Sequence, residues 1–253
     1  METQALIYLS LLVCLAGFMD AIAGGGGIIT LPAYLNYGLR EELLLGTNKL
    51  SSTMGTFVAV IKFLKELRFE KKYLLFVFFF SALGSAAGAF FISGIPKEFI
   101  RYFLIAALPA VSIFLLLNRN FGLSDFSASL GGNEIRKRTF LISFFISFYD
   151  GILGPGTGTF LALSYTRFCG YDLLRATALS KFTNLVSNVS ALATFLLLGK
   201  VDIKLGLMMG MLSMAGNYAG SHFALKRGVW VIRPLIFLVS NILLAKIIWD
   251  MLR

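Results

Sequence analysis

The run Asp20-Ala-Ile-Ala-Gly24-Gly25-Gly26-Gly27 places a carboxylate just ahead of four consecutive glycines, and Asp150-Gly-Ile-Leu-Gly154-Pro155-Gly156-Thr157-Gly158-Thr159 echoes it. Glycines in series favour an unwound backbone, and Pro155 removes a donor and obstructs helix continuation. Where a helix restarts, near Ile28 and Thr159, its first amides lack internal partners and their dipoles favour an anion. The competing role for glycine is close helix packing. That role suits the spaced pairs Gly84/Gly88 and Gly216/Gly220 better than an uninterrupted quartet. Nucleotide binding is excluded, because no Gly-Lys-Ser/Thr ending follows and a dinucleotide fingerprint needs a preceding strand.

Lys49 and Lys181 come next, in Gly46-Thr-Asn48-Lys49-Leu-Ser-Ser52 and Ala178-Leu-Ser-Lys181-Phe-Thr-Asn184. A lysine within an apolar run is costly unless it faces a partner or a wet cavity. Three roles are open to these two: neutralising a bound anion, pairing with Asp20 or Asp150, or snorkelling to a helix end. Thr47, Asn48, Ser51, Ser52, Thr183, Asn184 and Asn188 add polar groups suited to oxyanion oxygens. The expected anion site therefore comprises Gly24 to Gly27, Asn48, Lys49, Gly154, Gly156 to Thr159, Lys181 and Asn184. Asp20 and Asp150 either take up protons, since desolvation favours the neutral acid, or cap amides and hold the lysines. His222, the sole histidine, matches Phe90 in the first half and reads as a helix-end polar residue. Two cysteines, Cys14 and Cys169, exclude a disulfide framework and a cysteine-built metal site. No cofactor is implied.

The elements that position these residues follow from composition. The chain is 57% hydrophobic and 14% charged, with a mean hydropathy of +0.81. A soluble domain carries about 25% charge, so this chain cannot coat itself for water. Apolar runs long enough to cross a bilayer, about twenty residues each, fall at 4–35, 43–65, 73–93, 98–117, 139–166, 174–198, 203–225 and 230–250. The first and fifth are overlong and interrupted by glycine. The N-terminal run resembles a signal peptide but lacks a basic leading region, and its motif recurs mid-chain, so it is expected to stay.

The fifth to eighth runs repeat the first to fourth. Phe18, Asp20, Ile22, Gly24, Gly26 and Leu31 match Phe148, Asp150, Ile152, Gly154, Gly156 and Leu161 at an offset of 130. Lys49/Lys181, Gly84/Gly216, Gly88/Gly220 and Arg101/Arg233 follow at 132. The expected architecture is an all-α membrane protein of about eight transmembrane segments in two homologous four-segment halves, the first and fifth segments glycine-broken. The halves are residues 1–117 and 139–253, joined by a loop at 118–138.

The net charge of +10 would suggest nucleic acid on a soluble chain, but the basic residues sit at the ends of apolar runs. They read as cytoplasmic anchors and lipid contacts, with no nucleic-acid partner. If all eight runs cross, both termini and the 66–72, 118–138 and 199–202 loops are cytoplasmic. Arg167, Arg175, Lys226 and Arg227 then fall on the wrong side. If a broken segment is instead re-entrant, the halves are inverted.

With these motifs in view, the chain resembles the TauE/SafE family of sulfite and sulfonate exporters. Gly17-Phe-Met-Asp20-Ala-Ile-Ala-Gly-Gly-Gly-Gly-Ile-Ile-Thr-Leu-Pro32 and Gly46-Thr-Asn-Lys49 carry the resemblance. Phe148-Tyr-Asp150-Gly-Ile-Leu-Gly-Pro-Gly-Thr-Gly-Thr159 with Ser180-Lys181-Phe-Thr-Asn184 extends it. It implies a multi-pass inner-membrane permease for small sulfur-containing anions such as sulfite or organosulfonates, driven by an ion gradient, proton or sodium. Pro155 and Thr157 stand where the first copy has glycines, so the two half-sites need not be equivalent. An anion channel uses the same residues and stays open as an alternative. An intramembrane enzyme lacks a nucleophile with a base, and a passive scaffold leaves the duplicated glycines and lysines unexplained. The specific anion, the direction of transport and homo-oligomerisation are open at this stage.

Overall fold

The computed structural model describes residues 2–94, 122–238 and 241, and among them there is no strand. Helices α1 (Glu2–Ala23), α2 (Gly27–Tyr37), α3 (Glu41–Glu66) and α4 (Lys71–Ser93) form the first set. A 3-10 turn at Ser127–Ser129 precedes α5 (Gly132–Ile152), α6 (Thr157–Cys169), α7 (Leu173–Leu197) and α8 (Ile203–Arg227). Helix α9 covers Val229–Leu238. The apolar run 98–117 lies outside the described residues, as does most of 230–250.

Large apolar side chains face outward while polar ones sit inside beside the apolar clusters. Leu197 and Phe90 are 90% and 74% exposed, while Lys181, Ser81, Ser85, Ser143, Ser147 and Ser187 are fully buried. An apolar exterior with polar groups kept inside is the arrangement a hydrocarbon solvent selects. Among the described residues, two stretches, Thr3–Ala23 and Lys71–Ser93, are long and apolar enough by composition to cross a membrane. The remaining long helices carry the interior's polar groups, such as Asn48 and Lys49 on α3 or Ser180, Lys181 and Asn184 on α7, and this dilutes their hydropathy.

Local chemistry sets the helix ends. Asp172 caps α7 by accepting from the amides of Leu174 and Arg175 at 2.9 and 3.0 Å, and Asp202 caps α8 through Leu205 at 2.9 Å. Gly38, at φ +95°, ends α2, and the Leu39 amide turns back to the Tyr34 carbonyl at 3.1 Å. Helix α5 starts at Gly132, inside the stretch expected as loop. Its first two turns are polar, with an i,i+4 pair between Glu134 and Arg138 at 2.8 Å. Charge ends an apolar run there without ending the helix.

The pairs α1–α2 and α5–α6 are helical hairpins. Ala33 and Tyr34 of α2 cluster with Leu9 and Val13 of α1. Arg138 near the start of α5 donates to the Phe168 carbonyl at the end of α6, at 2.6 Å. The hairpins enter from opposite ends of the bundle. The open end of α1–α2 lies with Leu44 and Leu205, at the starts of α3 and α8. The open end of α5–α6 lies beside Phe126 and Gly170, joined amide to carbonyl at 2.7 Å, and near Phe69 just past the end of α3. Helix α3, with 26 residues, holds these two ends about 39 Å apart.

This geometry corrects the expected orientation. The 199–202 loop sits against the start of α3, where the Asp202 amide donates to Thr47 Oγ1 at 2.9 Å. It therefore lies at the end opposite the 66–72 and 122–131 segments, together with the start of α1. Arg175 moves the other way. It pairs with Asp125 at 3.1 Å and stacks over Phe69, so it joins the basic residues of 65–72 and 136–138 at one end. Lys226 does so too, lining a groove with Lys65 and Leu174.

Helices α1–α4 and α5–α8 interlock through glycine. A side chain at Gly84 or Gly88 of α4 would overlap the carbonyls of Phe144 and Phe148 on α5. Gly216 and Gly220 of α8 stand in the same relation to Cys14 and Phe18 of α1, 130 positions before those phenylalanines. Each half's fourth described helix thus packs on the other half's first.

Candidate functional site

The hairpin tips meet in the middle of the bundle. Gly24 and Gly25 carry φ of +80° and +85°, and Gly154 and Gly156 carry +89° and +81°, conformations that side-chain-bearing residues adopt only at a cost. These residues reverse the chain. A Cβ on Gly24 would lie 2.6 Å from the Gly158 Cα, and one on Gly27 would lie 3.5 Å from the Pro155 Cα. Thr159 Oγ1 donates across the junction to the Ala23 carbonyl at 2.7 Å, satisfying an acceptor freed where α1 ends. Ser180 Oγ holds the Gly158 carbonyl at 2.7 Å, Thr157 Oγ1 holds that of Gly154 at 2.8 Å, and Tyr149 Oη donates to that of Pro155 at 2.6 Å.

Both lysines reach this junction and both are paired across the halves. Lys49 Nζ lies 2.7 Å from Asp150 Oδ2, with side-chain exposures of 3% and 2%. Lys181 Nζ lies 3.0 Å from Asp20 Oδ2, with exposures of 1% and 16%. Snorkelling does not describe either lysine. Asn188 Oδ1 accepts from Lys49 at 2.9 Å, and Ser187 Oγ donates to Asp150. The Gly26 amide donates to Asp20 Oδ1 at 3.2 Å. Two cations and two anions thus form a neutral, buried cluster.

Of the residues singled out by sequence, Asp20, Gly25, Gly26, Gly27, Asn48, Lys49, Ser52, Asp150, Gly154, Gly158, Asn184 and Asn188 line one small cavity. Its volume of about 20 Å³ is room for about one water. Gly24, Gly156, Thr157 and Thr159 build the tips without lining this cavity, and Lys181 stands behind Asp20. His222 lies in the separate groove with Lys62 and Tyr218. Ser187 and Thr30 were missed. Thr30 Oγ1 donates to Asn48 Oδ1 at 2.5 Å, and the repeat offers no signal for Ser187 because its counterpart at offset 132 is Gly55. Among the described residues no cluster of metal-ligating side chains is found.

A helical protein with an apolar exterior and a buried charge cluster where two hairpins meet is a membrane protein of the transporter class. The chain belongs to the sulfite exporter TauE/SafE family, whose model matches residues 9–247. A probable membrane transporter protein of Sinorhizobium sp, ORF9, is 35% identical, covering 97% of this chain and 93% of the relative. One from Haemophilus influenzae is 34% identical, over 96% and 95% of the two chains. The probable membrane transporter protein YfcA of Escherichia coli is 33% identical, over 93% and 87%. These relatives are described as probable membrane transporters, and this chain is a membrane transporter. No solved structure matches it.

Proposed function

We propose that this protein is a multi-pass permease of the cell (inner) membrane that carries a small anion, a sulfur oxyanion such as sulfite or an organosulfonate. The anion is held between the two glycine tips. The observation that carries this reading is the burial of Lys49 and Lys181 at the junction of two reversed backbones. An oxyanion there meets the Lys49 ammonium, the amide groups of Asn48 and Asn184 and the backbone of Gly27 and Gly158, with Lys181 in reach once it leaves Asp20. The family's description as sulfite exporters supports the sulfur class.

In this reading the halves are inverted and the two hairpins are re-entrant, one from each face. The basic end is cytoplasmic by the positive-inside rule, and the start of α1 is on the other face. Alternating exposure of the tips to the two faces then moves the anion. A cavity of about 20 Å³, room for one water and not for the anion, fits a closed, unloaded state of a carrier. The test is a thermal-shift screen of purified protein against sulfite, alkylsulfonates, sulfate and carboxylates, followed by uptake into proteoliposomes. Selective stabilisation and saturable, gradient-dependent uptake are expected. Ohmic currents would mark a channel, and neither binding nor uptake of any anion would sink the proposal.

A further inference from the structure

We infer that a monovalent anion is carried together with one proton, and that Asp20 is the carboxylate that takes it; this rests on the anion-permease reading above. The argument begins with charge balance. Lys49 on α3, Lys181 on α7, Asp20 on α1 and Asp150 on α5 sum to zero in the closed site. Helices α2 and α6 bring no charged side chain to it. The nearby titratable hydroxyls are already bound, Tyr149 to Pro155, Tyr34 to Ser51, and Tyr165 to Ser143 and Thr183.

An anion entering this neutral cluster leaves a net negative charge in a low-dielectric interior, where an uncompensated ion is strongly disfavoured. It also competes with a carboxylate for each ammonium. A single event resolves both conflicts. A proton from the aqueous phase on the loading side converts one carboxylate to a carboxylic acid. The freed lysine stays charged and turns to the anion. Release reverses the step, and the proton returns to water on the far side. The O–H bond is the one covalent bond made and broken.

The two carboxylates are not equivalent. Asp150 is held by Lys49 at 2.7 Å and by Ser187, and Lys49 is itself held by Asn188. The positions matching Ser187 and Asn188 in the first half are Gly55 and Thr56, so α3 offers Asp20 no such clamp. Both carboxylates line the cavity, but Asp20 has the longer ion pair at 3.0 Å and is 16% exposed against 2% for Asp150. A protonated Asp20 keeps an oxygen for the Gly26 amide and gains a donor for the anion.

The experiment uses the full-length protein in proteoliposomes with methanesulfonate, which stays ionised throughout. Uptake is expected to acidify the lumen by one proton per anion and to be unchanged by an imposed potassium diffusion potential. Methanesulfonate binding should weaken as pH rises, by up to about tenfold per unit. Either aspartate-to-asparagine change leaves one ammonium without its carboxylate and should flatten that profile, whereas the carboxylic-acid C=O infrared band raised by methanesulfonate should shift in Asp20→Glu and stay in place in Asp150→Glu. Potential-driven uptake without acidification overturns proton matching, independent of how either variant folds. A band that shifts in Asp150→Glu and stays in Asp20→Glu overturns the choice of Asp20. Absence of any methanesulfonate or sulfite binding or uptake overturns the permease reading, and this inference falls with it.

Discussion

Lys49 and Asp150 are nearly inaccessible, so each depends on the other's charge. Removing one member of a buried pair costs about 3–5 kcal/mol, because the survivor keeps its desolvation penalty. Lys49→Ala should therefore abolish transport and lower thermal stability in detergent. Adding Asp150→Asn should restore most of the stability and none of the transport. Wild-type flux in both Lys49→Ala and Lys181→Ala would remove the lysines from the mechanism. Thr159 makes a separate prediction. Thr159→Val loses the bond to the Ala23 carbonyl and should cost about 1 kcal/mol, whereas Thr159→Ser should be close to wild type. At this scale the important residue types were legible, because charge within an apolar run stands out. Their partners were not. Nothing in the spacing says that Lys49 takes Asp150 rather than Asp20.

The hairpin is the element on which the site depends, and Gly24 at the first tip has no room for a side chain. At Gly24 a Cβ meets both a left-handed backbone and the Gly158 backbone across the junction. Gly24→Ala should lose about 1–2 kcal/mol from conformation alone, more from the overlap, and should impair transport before it prevents membrane insertion. Gly88→Leu and Gly220→Leu should each disrupt packing of α4 on α5 and α8 on α1, seen as loss of monodisperse protein on size exclusion in detergent. The glycine runs marked where helices stop. They did not reveal that the chain turns back, because an unwound backbone can continue or reverse. Contacts such as Ala33 and Tyr34 with Leu9 and Val13 decide it.

For the whole molecule, the arrangement of ends is testable without any substrate. With Cys14 and Cys169 replaced by serine, Lys137→Cys and Lys200→Cys should react with a membrane-impermeant maleimide from opposite faces of intact cells. Lys200→Cys should label from outside and Lys137→Cys only after permeabilisation. Eight simple crossings place both positions on one face, so labelling from the same side would restore that topology. The apparent misplacement of Arg175 and Lys226 in the eight-crossing reading disappears once the hairpins are re-entrant, because both then lie at the basic end.

Composition and repetition by themselves determined that this chain lives in a bilayer, that it is helical, and that glycine, lysine and aspartate recur together. Each of these is a local or periodic property, governed by the solvent a segment faces and by backbone freedom at single residues. Only the tertiary structure decided that the first and fifth apolar segments fold back, that they enter from opposite ends, and that each aspartate pairs with the other half's lysine. Those choices are set by which distant surfaces fill one another, Gly24 against Gly158 and Gly84 against Phe144, and packing at such separations leaves no trace in local sequence.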